Sequence, residues 1–438
     1  MGYLLNTDEQ VKEMLESLSL NSLDDLYGHF DKDLLLDELP IPCALGEIDI
    51  QRAFDNYAKK NTQFEHIYRG AGAYNHYIPA VVPEMANKER FKTNYTPYQA
   101  EVSQGALQAI FEFQTMICEL TGMDVANASV YDAASATAEA ANMCRDKRKK
   151  KMRTLISGGV NPRIVNTVKT YSWAVNAPMD VLPQTKDGLF DVEAFLNDTQ
   201  EDVASIVVQQ PNFYGLIEDM PAIVAAAKEK KIKVIAVVNP IAANVLESMG
   251  VCGVDIAVGE GQPLGLPLAF GGPYLGFMAC TKAMLRNLPG RIVGQTVDED
   301  GKRSFVLTMQ AREQHIRRET ASSNVCSNQA LCALAASVYM ASMGPQGLKD
   351  VAMLSYNKAH YLAQELEKIG FNPRYDTDFF HEFATKSPID TTTLMNHLEK
   401  NGVLGGLPIE NNGVLWCATE MNAKEDIDLL INLIKEVL

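Results

Sequence analysis

The sequence predicts an α/β fold: a large domain built on a mainly parallel sheet, followed by a smaller α/β domain. Short apolar runs at residues 154–156, 181–182, 205–208, 234–238, 255–258 and 275–280 alternate with helical stretches such as 221–231. Continuous apolar strands separated by helices belong to parallel sheets covered on both faces. Past residue 370 a shorter series reads strand 379–383, helix 391–401, strand 414–418 and helix 424–437. The chain has 438 residues, 47% hydrophobic and 21% charged, which is enough for two or three globular domains.

Each element has its own signal. Thr7-Asp8-Glu9-Gln10 forms a capping box, so a helix begins there. The first sixty residues read as helical and linker-like, interrupted by Pro40, Pro42 and Gly46, and helical spacing resumes over 48–61. Residues 69–79, with Gly70, Gly72, Tyr74, His76, Tyr77 and Pro79, have neither helical nor strand period and predict an ordered loop. Long helices are expected over 99–121 and 133–150. A further helix from 328 breaks at Gly344-Pro345 and resumes over 348–369. These signals divide the chain into an N-terminal helical arm with its aromatic loop (1–92), a large domain (93–327) and a small domain (328–438).

Composition excludes several functions. Thirty-nine basic against 55 acidic residues give a net charge of -16, which repels phosphate backbones and anionic lipid, so neither a nucleic-acid nor a membrane partner is expected. No apolar stretch reaches the eighteen or so residues of a membrane span, and the amino end lacks the charged and apolar regions of a secretory signal. Eight cysteines show no CxxC pair and the seven His are dispersed, so reduced, mostly buried thiols in a cytoplasmic protein without a metal site are expected.

Four motifs invite a chemical reading. The basic run 145–153 fits the solvated carboxyl end of a helix. Gly259-Glu260-Gly261-Gln262-Pro263-Leu264-Gly265 imitates a dinucleotide loop, but its spacing is off by one and Pro263 stands where a helix would start. His381-Glu382 lacks the second His of a zinc-protease motif. Residues 312–319 place Arg312 with His315 and Gln314 with Arg317 at i,i+3, which predicts an ion-pair network at a domain or subunit junction.

Residues 70–79, 93–105, 291–294 and 312–319, followed by Ser323-Asn324-Val325-Cys326, together resemble the pyridoxal-phosphate-dependent glycine decarboxylase (P-protein) family of the glycine cleavage system. The resemblance covers essentially the whole chain and is narrowest to the alpha chain of the split, two-chain form. It implies the fold type I architecture of aspartate aminotransferase. That fold holds its cofactor by a helix amino terminus for the phosphate, a strand-end acid for the pyridinium nitrogen and a lysine for the Schiff base. Carried onto this chain, the phosphate loop falls at Ala134 with Ser135, Ala136 and Thr137, the acid at Asn239 and the lysine at Pro263. Asn239 carries no charge and Pro263 no amine, so the chain is expected to hold no functional pyridoxal phosphate of its own.

The resemblance further implies a catalytic beta partner that binds the cofactor. Glycine loses carbon dioxide there, and the aminomethyl group passes to the lipoyl arm of H-protein. This chain would shape the pocket, with Gly271 and Gly272 of the 270–273 loop against the partner's cofactor phosphate. Tyr74, His76, Tyr95, Tyr98, Arg312 and His315 are candidates for the interface or substrate channel. Thr320 replaces a lysine of many fused-chain relatives. Two rivals stay open, a scaffold or regulatory pseudoenzyme and an autonomous pyridoxal-phosphate transaminase or decarboxylase using an unexpected lysine such as Lys282; a third, weaker one, a nicotinamide dehydrogenase, is already opposed by the Gly259 loop.

Overall fold

The computed structural model describes residues 5–36, 39–92, 97–197, 200–321 and 323–438. It divides into two compact units, Met1–Gln63 and Phe64–Leu438. In the first, helices Asp8–Ser17 and Glu47–Ala58 bury none of their residues. The capping box is present, with Gln10 N–H donating to Thr7 Oγ1 and Thr7 N–H to Gln10 Oε1.

The second unit carries four sheets among the described residues. Its strands begin with β1 (His66–Ile67), β2 (Val125–Ala126), β3 (Arg153–Ser157), β4 (Met179–Leu182) and β5 (Val203–Gln210). They continue with β6 (Lys233–Val238), β7 (Ile256–Glu260), β8 (Gly276–Cys280), β9 (Ile292–Val297) and β10 (Arg303–Thr308). The last are β11 (Asn372–Pro373), β12 (Glu382–Lys386), β13 (Val403–Leu404), β14 (Leu407–Ile409) and β15 (Gly413–Cys417). The large sheet runs β2-β8-β7-β6-β5-β3-β4. From β7 to β4 every ladder is parallel, while β8 and β2 join antiparallel.

Alternation along β6 shows how both faces are covered. Val234, Ala236 and Val238 pack on one side with the Met220–Glu229 helix and the start of the Ala330–Lys368 helix. Ile235 and Val237 pack on the other with the alanine-rich Ala133–Cys144 helix, as the two-residue period of a strand requires. The small sheet, β11-β12-β15-β14, is antiparallel throughout. Around Trp416, Phe371 and Phe383 it packs against the Thr391–Lys400 and Lys424–Lys435 helices and the second half of the long helix. That helix kinks at Gly344, whose φ of 61° and ψ of 177° leave the helical region just before Pro345. We call these two bodies of the second unit the large and small lobes.

Several sequence expectations need correction. The helix expected over 133–150 stops at Cys144, because the Asp146 carboxylate takes the Arg148 and Lys149 amides and folds the basic run into a turn. The helix expected from 99 begins at Gln104, after a single 3-10 turn. The strand expected at 379–383 begins at Glu382, because Phe379 and Phe380 bridge instead to Leu216 and Gly215 of the large lobe. The cysteines are not mostly buried: Cys280 and Cys417 are, whereas Cys43 and Cys326 are exposed and the other four are half-buried against the cores.

Candidate functional site

In an open α/β sheet the carboxyl ends of the parallel strands form the natural ligand crevice. Here Gln210, Asn239 and Glu260 stand at or just past the ends of β5, β6 and β7. Asn239 Oδ1 accepts from the Ile241 and Ala242 amides, capping the turn that follows. Its Nδ2 therefore faces His381 Nε2, 3.4 Å away, and donates to it. That contact needs a neutral imidazole, and burial together with His76 holds the His381 pKa well below the usual histidine value.

Glu260 is gripped by three backbone amides. Oε1 accepts from Leu275 at 2.9 Å and Gln262 at 3.1 Å, and Oε2 accepts from Ala133 at 3.2 Å. Burial nevertheless pushes its pKa up to about 8. Three residues on, Pro263 is buried in the turn that leaves β7. Gly259 lies within β7, where an added Cβ would come 2.3 Å from the Phe277 ring. The glycine there serves strand packing, which removes the structural basis for the dinucleotide reading.

Residues 69–77 cross this crevice as a strap. Arg69 donates to the Gly405 and Gly406 carbonyls. Ala71 N–H donates to Glu382 Oε1 at 2.6 Å, and the Ala71 carbonyl accepts from Asn161 Nδ2. The buried Gln262 amide clasps Tyr74 twice, accepting its N–H at 2.8 Å and donating to its carbonyl at 2.9 Å. Tyr74 Oη donates to Glu382 Oε2 at 2.6 Å, and its ring lies 4.7 Å from the His381 ring. His76 Nδ1 meets Glu420 Oε2 at 2.7 Å, while Tyr77 N–H donates to Glu420 Oε1.

The electrostatics of this cluster follow from burial. Burial raises the Glu382 pKa to about 7 against the two hydrogen bonds that lower it. Burial and the neighbouring Glu382 raise Tyr74, so it stays a phenol. Burial also works to raise Glu420, but His76 and the Tyr77 amide outweigh it and hold the carboxylate below its usual value.

The other sequence candidates are dispersed. Gly271 and Gly272 lie with Phe270 on an exposed loop at the Glu260 end of β7, since Gly276 pairs with Glu260. Tyr98 is half exposed, its ring 5.5 Å from the Arg291 guanidinium and 5.7 Å from the His315 ring. Arg312 donates to the Gly290 carbonyl and Arg317 to the Ala311 carbonyl. The expected Arg312–His315 network does not form, because residues 310–320 are three separate turns broken at Glu313 and Arg318 rather than one helix. His315 instead lies 3.8 Å from Glu313, and Thr320 Oγ1 donates to the Arg317 carbonyl. Tyr95 lies outside the described residues. Lys282 is exposed after β8, where Cys280 pairs with Ile256 at the start of β7. It therefore stands at the opposite edge of the sheet from Asn239 and Pro263.

Sequence reading missed Glu260, Gln262, Glu382 and Glu420, and with them Glu139, which burial pushes up to about 7 on the Ala133–Cys144 helix. For Glu382 and Glu139 the available signal was a carboxyl embedded in a largely apolar run, since such residues are buried only when bonded or functional.

Whether pyridoxal phosphate fits can be judged from these bonds. Around the start of the Ala133–Cys144 helix, the Ala133 amide is taken by Glu260 and the Ser135 amide by Asp132. Thr137 Oγ1 donates to the Ala133 carbonyl, and Ala136 is buried. A phosphate would have to displace two carboxyl groups, and Pro263 offers no amine. The residues present do not fit the group. Among the described residues there is no cluster that could hold a metal ion and no helix long and apolar enough to cross a membrane.

A profile of the glycine cleavage system P-protein family matches residues 1–434. The chain belongs to this family. Among relatives of the P-protein type, it is 45% identical over 437 residues to a probable glycine dehydrogenase (decarboxylating) subunit 1 of Brevibacillus brevis, covering 98% of this chain and 97% of that protein. It is 44% identical over 447 residues to the protein of the same description in Moorella thermoacetica, with both chains fully covered. It superimposes on a crystal structure of glycine decarboxylase (P-protein) of the glycine cleavage system, in inhibitor-bound form, with TM-score 0.93, 41% identity and 100% of both chains. A glutamate decarboxylase from Lactobacillus brevis shares the fold at TM-score 0.69 and 14% identity, covering 94% of this chain and 95% of that one. The P-protein fold is thus the fold type I architecture expected from the sequence.

Proposed function

We propose that this P-protein chain is the non-lysine-bearing alpha subunit of a cytoplasmic glycine decarboxylase. A catalytic beta partner holds pyridoxal phosphate, and the two together decarboxylate glycine and deliver the aminomethyl group to the lipoyl arm of H-protein. The observation that carries this reading is Pro263, buried at the end of β7, in a chain that matches the family over its full length. An amine cannot be supplied from a proline. We assign to this chain the walls of a shared pocket: the exposed 270–273 loop toward the partner's cofactor phosphate, and Tyr98, Arg312 and His315 toward the junction or entry path. An assembly of two alpha and two beta chains follows the same reading.

The test measures glycine-dependent carbon dioxide release by the lysine-bearing partner and lipoylated H-protein, with and without this chain. Omitting it is expected to cost on the order of 10²-fold or more, the scale of mispositioned reactants. Full activity of the partner alone would reject the shared site and leave the scaffold reading. A borohydride-stabilised pyridoxyl adduct mapped to Lys282 of this chain would instead support an autonomous enzyme.

A further inference from the structure

We infer that this chain fills the fold's cofactor seat with its own side chains and uses the filled seat as a latch between its two lobes. The inference rests on the reading of Pro263 as a lost lysine and goes beyond it, because losing an amine need not close a pocket.

Three parts of the seat are taken by three parts of the chain. At the strand-end position the neutral His381 accepts from Asn239 Nδ2, so an sp² ring nitrogen of the small lobe stands against the residue that would face a pyridine nitrogen. Tyr74 lies against that imidazole and bonds to the next residue, Glu382. At the helix start, Glu260 and Asp132 take amides that a phosphate would need, which are otherwise a ready anion site.

The strap that brings Tyr74 there is bonded to both lobes. On the large-lobe side it meets Asn161 and both ends of the Gln262 amide. On the small-lobe side it meets Gly405, Gly406, Glu382, Glu420 and Thr419, whose hydroxyl donates to the Asn75 carbonyl. Hydrogen bonds among buried groups are costly to break one at a time, because each leaves a partner unsatisfied. The lobes are therefore held in one arrangement without any ligand.

Two measurements on the full-length chain test this. In amide hydrogen exchange, the Ala71 and Tyr74 amides, which donate to Glu382 and Gln262, are expected to exchange as slowly as the β6 core, and Tyr74→Phe to speed them by about tenfold or more, as expected when an opening loses a buried bond. Rapid exchange of these two amides in the unaltered chain would overturn the latch. In the second, the chain is titrated with pyridoxal phosphate and, separately, inorganic phosphate while exchange of residues 133–137 is followed. No protection up to millimolar ligand is expected. Saturable protection at micromolar pyridoxal phosphate would overturn the filled seat, yet leave intact the proposal that catalysis belongs to the partner, which the carbon dioxide assay judges separately. Pro263→Lys provides a third readout. With pyridoxal phosphate it is expected to give no visible band of lysine-bound cofactor, and a stoichiometric band would count against the filled seat.

Discussion

Glu382 shows how much one buried carboxyl can govern. It accepts from Ala71 and Tyr74 and is itself buried, and burial lifts its pKa from the usual carboxylate value to about 7. A raised acid binds its proton more tightly in the folded chain than in the unfolded one. Its contribution is therefore fully present below about pH 4.5 and is lost as pH rises through about 7. Glu382→Gln mimics the protonated form. Compared with the parent chain, it is expected to lose less stability between pH 5 and pH 8, by up to about 3 kcal/mol. Denaturant midpoints at the two pH values read this directly, and parallel pH profiles would show that Glu382 stays ionised in the fold. Glu139 and Glu260, raised to about 7 and about 8, slope the same way, so the parent chain as a whole is expected to weaken toward alkaline pH.

At the scale of elements, the lobes meet where β12 approaches the loop after β5. Gly215 has a φ of +82°, and an added Cβ would fall 1.8 Å from the Glu382 carbonyl oxygen. Backbone cannot swing aside as a side chain can. Gly215→Ala is expected to cost about 3 kcal/mol or more, combining positive-φ strain with overpacking. Urea unfolding measures it, and a loss within about 0.5 kcal/mol, the range of surface substitutions, would contradict the contact. The large sheet was legible because 234–238 and 255–258 are apolar beyond what a half-exposed strand needs, and the kink was legible because Gly344-Pro345 cannot continue a helix. The strap's role was not. Nothing local in Gly70 to Tyr77 says that Tyr74 will meet Gln262 or Glu382, contacts spanning 188 and 308 residues. The segment 312–319 failed in the opposite sense: its spacing was helical, but the backbone at Glu313 and Arg318 is not.

On the scale of the whole molecule, the two units differ in how they are held. Phe64–Leu438 has layered cores on both faces of its large sheet. The described residues of the first unit bury no side chain, and leave Leu23, Phe30, Ile41, Phe54 and Tyr57 exposed. Helices of ten and twelve residues are marginal in water without tertiary packing. Brief proteolysis of the isolated chain is therefore expected to cut first before residue 64 and to leave Phe64–Leu438 intact by mass spectrometry. A first cut elsewhere would show that the arm carries stability of its own.

The crowding around Pro263 also bears on history. A gene that loses a catalytic lysine can regain it by reversion only while the surroundings still remember the coenzyme. Here Asn239 is bonded to His381, Gln262 to Tyr74, Tyr74 to Glu382 and Glu260 to the Ala133 amide, so their hydrogen bonds are committed within the chain. On the reading proposed above, a lysine codon at position 263 alone does not reopen the seat, so the split of labour between this chain and its proposed partner would be hard to reverse.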